Sequence, residues 1–322
     1  MTLLFFSRDP GPTNQLVAVH AAITGDAAAC PPALRALREA SAGLPIAVRG
    51  KPPGDQVWRR AGIDPQPWAS APDDDAIVAM LEAEGVRIVA TGTSDIDEDT
   101  DRRLWRAARR IGADSHVFMD HPANLDRRFF EASGVPTFPD RVYVPDEAYL
   151  APLAALGVPR AAMTVAGDLH LARLARGVAA GAAAARDSLR GAWGASAADV
   201  VVLYASECNA EMAAAGRPSA FDEFATLDRL IALVRARAPV AGVATAPATT
   251  LIVVRPHPRD RAGKYDAWRD TRAPRLVISA AGAPLEALYA ADAIAGMDST
   301  LLREAAALRR PVVSLTGVEI RA

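Results

Sequence analysis

Lysine is almost missing from these 322 residues: Lys51 and Lys264 are the only two, and arginine carries the rest of the basic charge. That skew reads as coding bias and by itself excludes no chemistry. The charge balance excludes more. With 36 basic and 38 acidic residues the formal net charge is −2, so no concentrated basic face, and no nucleic-acid partner, is expected. Cysteine is equally scarce. Cys30 and Cys208 lie far apart in no metal-ligand spacing, which argues against a disulfide framework and for a reducing, cytoplasmic setting. No apolar run is long enough for a membrane span, and the short one at Met1–Phe6 is followed at once by Arg8 and Asp9. HExxH, CxxC, a Walker A loop and a clean GxGxxG are also lacking, so no metal is expected. Oligomeric state is not legible.

What is present is globular: 51% hydrophobic and 23% charged residues, on a chain about two domains long. Short apolar runs alternate with longer helical patterns throughout, the signature of parallel α/β layers. In the first half the expected strands are Leu3–Phe6, Pro45–Val48, Val86–Ala90, Ser115–Met119 and Arg141–Val144. The helical stretches between them include Asp99–Ile111, with Leu104, Ala107, Ala108 and Ile111 on one face and arginines opposite. Asp73-Asp74-Asp75 reads as a solvated helix cap. After a short strand at Met163–Ala166, a second set gives strands at Val200–Tyr204, Thr250–Val254, Leu276–Ile278, Ala293–Ala295 and Pro311–Leu315. Its helices are Leu171–Trp193, Phe221–Arg237, Ala283–Ala290 and Thr300–Leu308, and Ala238–Thr249 reads as a surface loop. The expected division is a first domain over 1–160 and a second over 161–322.

Three polar loops of the second half follow strands directly. Arg255-Pro256-His257-Pro258-Arg259 follows Thr250–Val254; its prolines fix the backbone where open α/β sheets bind ligands. A histidine there can donate to a phosphate, and Arg255 and Arg259 can add charge-assisted bonds. Asp298-Ser299-Thr300 opens a helix, where free backbone N–H groups suit a phosphate, and Glu304 lies about one turn on, in reach of ribose hydroxyls. Ser206-Glu207 ends a third strand. Each loop alone also reads as an ordinary turn or cap; their convergence, if the sheet is parallel, is the argument.

The run from His257-Pro258 through Ser299-Thr300 and Glu304 to Arg310-Pro311-Val312-Val313 resembles the donor half of GT-B glycosyltransferases. It is similar in particular to bacterial sialyl-, polysialyl- and Kdo-transferase-like enzymes, in which HP and Ser-Ser/Thr motifs hold a CMP-sugar. Asp298-Ser299 with Glu304-Ala305 is also similar to the nucleotide segment of UDP-GlcNAc 2-epimerases, and Gly167-Asp168-Leu169-His170-Leu171 resembles the opening of the second lobe in both groups. The resemblance implies two Rossmann-like lobes with a cleft between them and a CMP- or UDP-linked sugar as co-substrate, with no resident cofactor. It also implies further helices after the last strand, whereas this sequence stops at Ala322.

The first half then supplies the acceptor side. Gly11 in Ser7–Asn14 permits close backbone approach, and Thr13 or Asn14 can cap the following helix. Asp120 and His121 stand at the end of Ser115–Met119, where an inverting transferase needs a base for the acceptor hydroxyl. The related sialyltransferases place two acids and a glycine there; here His121-Pro122 follows Asp120, so Asp120 rests on position alone. Ser94, Asp95 and Asp97 are rivals for the same role, and Asp120 with His121 can equally pair and cap a turn.

The expectation is a metal-independent glycosyltransferase of bacterial surface-glycan synthesis, moving a sugar to a hydroxyl acceptor. His257, with the arginines, stabilises the departing phosphate, Ser299, Thr300 and Glu304 hold the nucleotide, and Asp120 or His121 activates the acceptor. Two alternatives stand beside it: a nucleotide-sugar 2-epimerase of the same fold, for which Glu207, Asp95 and Asp120 are the obvious acids, and a non-catalytic nucleotide-sugar-binding or scaffold protein.

Overall fold

The first strand, β1 (Thr2–Ser7), sends Leu3 and Phe5 into one apolar cluster and Leu4 and Phe6 into another, all four buried. A strand buried on both faces belongs inside a parallel sheet covered by helices on each side. The structure, a computed structural model, describes residues 1–68, 73–94, 98–121, 124–131, 133–177, 184–216 and 219–320. The chain divides into two compact units, Met1–His170 and Leu171–Ala322.

In the first unit β1 is joined by β2 (Ile46–Gly50), β3 (Gln66–Pro67), β4 (Val86–Thr91), β5 (Asp114–Phe118), β6 (Arg141–Val144) and β7 (Met163–Val165). They form one parallel sheet in the order β3-β2-β1-β4-β5-β6-β7. Helices α1 (Pro10–Thr24), α2 (Arg35–Ala40) and α3 (Gly54–Arg60) cover one face through Leu16, Val19, Leu37, Val57 and Trp58. Helices α4 (Asp74–Ala83) and α5 (Thr100–Ile111) bring Ile77, Leu81 and Leu104 against Leu4, Phe6 and Val89. Trp105 of α5, with α6 (Leu125–Phe129) and α7 (Leu150–Ala155), covers Val117 and Val142. Leu104, Ala107 and Ala108 are buried as the pattern required, and Arg103 and Arg106 turn outward to Asp74. Asp73 caps α4 by accepting from the Ala76 N–H at 2.8 Å.

The second unit has β8 (Val200–Ala205), β9 (Thr250–Arg255), β10 (Arg275–Ile278), β11 (Ala293–Gly296) and β12 (Val312–Ser314). They too are parallel, in the order β10-β9-β8-β11-β12. After α8 (Leu169–Gly177), its helices are α9 (Arg186–Ala192), α10 (Asn209–Ala214), α11 (Glu223–Arg235), α12 (Pro284–Ala290) and α13 (Thr300–Ala307). Leu227, Leu230, Ile231 and Val234 of α11 pack on Val202, Tyr204, Ile252 and Val254. On the other face Leu189 of α9, Ala287 and Leu288 of α12, and Leu302 and Ala305 of α13 pack on Val201, Leu203 and Val253. Both units are thus doubly wound α/β layers. In each the chain runs outward on one side of its first strand and returns on the other, so the carboxyl ends of β1/β4 and β8/β11 are the switch points where open sheets take ligands.

Some elements differ from the sequence reading. Strand β7 pairs with β6, Val142 opposite Met163, and so closes the first sheet rather than opening a second. The helix expected over Leu171–Trp193 is described as α8 and α9, with 178–183 outside the described residues. Helix α1 begins at Pro10, so Gly11, Thr13 and Asn14 lie within it rather than in a loop that precedes it. Elements β3, α6 and α10 were not foreseen: two to six residues carry no readable period.

Candidate functional site

At the carboxyl edge of the second sheet, Asp260 ties the ends of β8 and β9 together. Its Oδ2 accepts from the Ser206 hydroxyl at 2.8 Å and from the His257 N–H at 2.7 Å. Its Oδ1 accepts from Lys264 at 2.6 Å. Lys264, its side chain 1% exposed, also reaches Glu211 and Glu223 at 2.7 Å each and the Glu207 carbonyl at 2.9 Å. A compact ammonium with three donors suits this crowd of carboxylates better than a planar guanidinium would, and these bonds hold it charged, its pKa raised although burial opposes that. Ser206 is correspondingly spent: buried, it also hydrogen-bonds the Tyr265 hydroxyl.

His257 is set for donation. Its Nδ1 accepts from the Arg259 N–H at 3.1 Å, which leaves the proton of the neutral ring on Nε2. Burial lowers its pKa and favours that neutral ring. Arg255 turns away, donating to the Ala281 and Gly282 carbonyls at 3.0 and 2.9 Å; Arg259 is exposed.

Across the switch point Glu207 joins β8 to β11: its Oε1 accepts from the Asp298 N–H at 2.7 Å. Burial, with the nearby Asp298 and Glu223 charges, pushes the Glu207 carboxyl above its ordinary range. Ser299 is the N-cap residue of α13, yet its side chain makes no capping bond, and its Oγ is buried without a hydrogen-bond partner among the described residues. Asp298 pairs with Arg303 at 3.2 Å, Thr300 is exposed, and Glu304 lies half-buried on α13. The three loops therefore meet at one edge, with an unpaired hydroxyl where a helix begins.

The first unit repeats the device with other residues. Arg128, on α6 and buried, donates through Nη1 to Asp120 Oδ1 at 2.9 Å and to Thr93 Oγ1 at 2.6 Å, tying the ends of β5 and β4. Asp120 Oδ2 makes no hydrogen bond among the described residues and lies so close to Gly11 that a Cβ there would stand 2.0 Å from it. Gly11 is needed for room, not for its dihedral freedom. Thr13 bonds Ser7 and the Asp9 carbonyl instead of capping α1; Asn14 and His121 are half-exposed. Ser94 donates its N–H to Asp101, whose carboxyl burial raises to about 7; Asp95 and Asp97 lie outside the described residues. Among the described residues no group of His, Cys, Asp and Glu could hold a metal, and no helix is long and apolar enough to cross a membrane.

Sequence reasoning missed Asp260, Lys264, Tyr265 and Arg128. One signal was available: Lys264 is one of only two lysines among 36 basic residues, so it stands out in the sequence. Lys51, the other one, pairs with Glu98 at 2.9 Å and donates to Thr100 at 2.8 Å.

No protein-family model matches the chain, and no curated protein matches it. Solved structures do. The UDP-GlcNAc 2-epimerase from Neisseria meningitidis, bound to UDP-GlcNAc, is 13% identical with a TM-score of 0.65, over 100% of this chain and 84% of that one. Anabaena Alr3699/HepE in complex with UDP-glucose is 12% identical with a TM-score of 0.59, over 98% and 80%. The glycotransferase of kitacinnamycin is 15% identical with a TM-score of 0.50, over 97% and 80%. What the chain shares with them is the fold: two parallel-sheet α/β units of the GT-B type.

Proposed function

We propose that the chain is a nucleotide-sugar-dependent glycosyltransferase whose donor site is the carboxyl edge of β8, β9 and β11. The observation that carries the reading is the junction of three loops there by Asp260 and Glu207, with the buried Ser299 hydroxyl left unpaired. A nucleotide phosphate at the start of α13 would take the free N–H groups and that hydroxyl. His257, neutral and carrying its proton on Nε2, would donate to the phosphate that gathers charge as the glycosidic bond breaks. Asp120, with one carboxylate oxygen unbonded, is assigned to the acceptor hydroxyl. The neighbours' printed ligands, UDP-GlcNAc and UDP-glucose, favour a UDP-linked donor over a CMP-linked one.

A second reading, a 2-epimerase, is favoured by Glu207, an acid with a raised pKa at the same edge. Incubation with UDP-GlcNAc and a hydroxyl acceptor separates the two: UDP released together with the glycosylated acceptor supports transfer, and a 2-epimer with no transfer supports epimerisation. A thermal-shift panel of CMP, CDP, UDP, GDP and TDP tests the site itself, since a ligand that binds only the folded state raises its melting point. His257→Ala is expected to abolish the best shift with the fold intact; an unchanged shift removes the assignment. Nucleotide binding with no turnover of any donor would leave a binding or scaffold protein.

A further inference from the structure

The opposite, amino-terminal edge of the second sheet carries a cavity of about 430 Å³ lined by Arg186, Tyr289, Asp292, Arg310 and Pro311. Its place follows from the chain: Asp292 immediately precedes β11, and Arg310-Pro311 precedes β12. Helix α12 ends here, and its last carbonyls, which have no partner within the helix, draw cations, as the negative end of a helix does. Arg186 donates to the Tyr289 and Ala290 carbonyls at 2.7 and 3.2 Å, and neighbouring Arg190 to Ala290 at 3.0 Å. Asp292 then divides its carboxylate between them, Oδ1 to Arg186 at 2.7 Å and Oδ2 to Arg190 at 3.0 Å.

Arg310 is the cation left over. It has no ion-pair partner among the described residues and makes a single hydrogen bond, Nη2 to the Ala291 carbonyl at 2.6 Å. Its guanidinium stands over the Tyr289 ring at 5.5 Å, and its Nε is buried without a partner. Stacking fixes the plane of the fork, and a guanidinium carries five N–H donors arranged to meet an oxyanion. The Tyr289 hydroxyl likewise makes no hydrogen bond among the described residues. Of the lining residues, Arg186 and Arg310 stand against Asp292 alone, an excess of about one positive charge, and Arg190 behind Asp292 adds to it; the sign suits a phosphate monoester, an anion near neutral pH. The volume exceeds what a bare phosphate fills and falls within the range of small-molecule pockets.

We infer that this cavity is a binding site for a small phosphate monoester, held by Arg310 and Arg186 and separate from the proposed donor site. Titration calorimetry with inorganic phosphate and with glycerol 3-phosphate tests it, with glycerol as the uncharged control. Saturable binding of both anions is expected, with the monoester the tighter. It should weaken by about tenfold or more in Arg310→Gln and fade as salt rises. Tyr289→Leu, which removes the stacking face but no charge, should weaken it too and stands in if the Arg310 variant does not fold. His257→Ala should bind as the parent does, so the fate of the donor site is read separately. Absence of saturable binding, equal affinity in both pocket variants, or loss in His257→Ala would overturn the proposal.

Discussion

Lys264→Met is the sharpest perturbation of the candidate donor edge, because one ammonium there answers three carboxylates. Lys264 reaches Asp260 at 2.6 Å and Glu211 and Glu223 at 2.7 Å, with Asp260 and Glu223 almost wholly buried. Methionine keeps the length and the apolar stem and removes only the charge and its donors. Removing one partner of a buried ion pair costs about 3–5 kcal/mol, because the charges left behind have lost their counter-ion. For a unit of this size that corresponds to a fall of roughly 6–20 °C in melting temperature. Urea unfolding followed by tryptophan fluorescence reads it, since Trp268 lies in this unit and stacks on Phe224. The double variant Lys264→Met/Glu223→Gln neutralises one stranded acid and should recover part of the loss, a coupling that a cycle of the four proteins measures. A Lys264→Met protein within about 1 kcal/mol of the parent, or a double variant no better than the single one, would refute the reasoning. Lys264 would then be a solvated ion rather than the centre of the edge.

Ser299→Ala should leave stability unchanged or raise it by up to about 1 kcal/mol, because the hydroxyl removed is buried without a partner. The same change should weaken binding of the best nucleotide by roughly three- to tenfold, measured by calorimetry; unaltered affinity would take Ser299 out of the site. His116→Phe tests a buried histidine whose pKa burial lowers to about 4 from 6.5. Between those values the unfolded chain binds a proton that the native protein does not, so the histidine erodes stability as pH falls. The variant should gain on the parent by about 3 kcal/mol from pH 6.5 to pH 4. Asp101, raised to about 7, works in the opposite sense over much of that window. The quantity to measure is therefore the difference between the two denaturation curves, and parallel curves would contradict the assignment.

Most of the strands were legible because a strand buried on both faces is a short unbroken apolar run, and runs such as Val200–Tyr204 and Thr250–Val254 are bounded by turn residues on both sides. Helix α5 was legible in its faces as well as its extent, since a 3.6-residue period separates Leu104 and Ala108 from the arginines. The site was legible only as positions: Ser206, His257 and Asp298 could be named because each follows a strand. Their roles could not. Ser206 reads as a ligand contact and is instead consumed by Asp260 and Tyr265, while Arg255 is turned onto the backbone of Ala281 and Gly282.

By itself the sequence determined the fold class, because the alternation of buried strands and amphipathic helices is a local property that covering both faces of a sheet imposes on each segment. It also determined which residues end those strands. Only the tertiary structure decided which ends meet. Asp260, 54 residues from Ser206, and Glu207, 91 residues from Asp298, become neighbours through strand order and register, which nothing in either segment encodes. The same holds for Gly11 and Asp120, where the absence of one Cβ matters only because a carboxylate from a distant strand comes to lie against it.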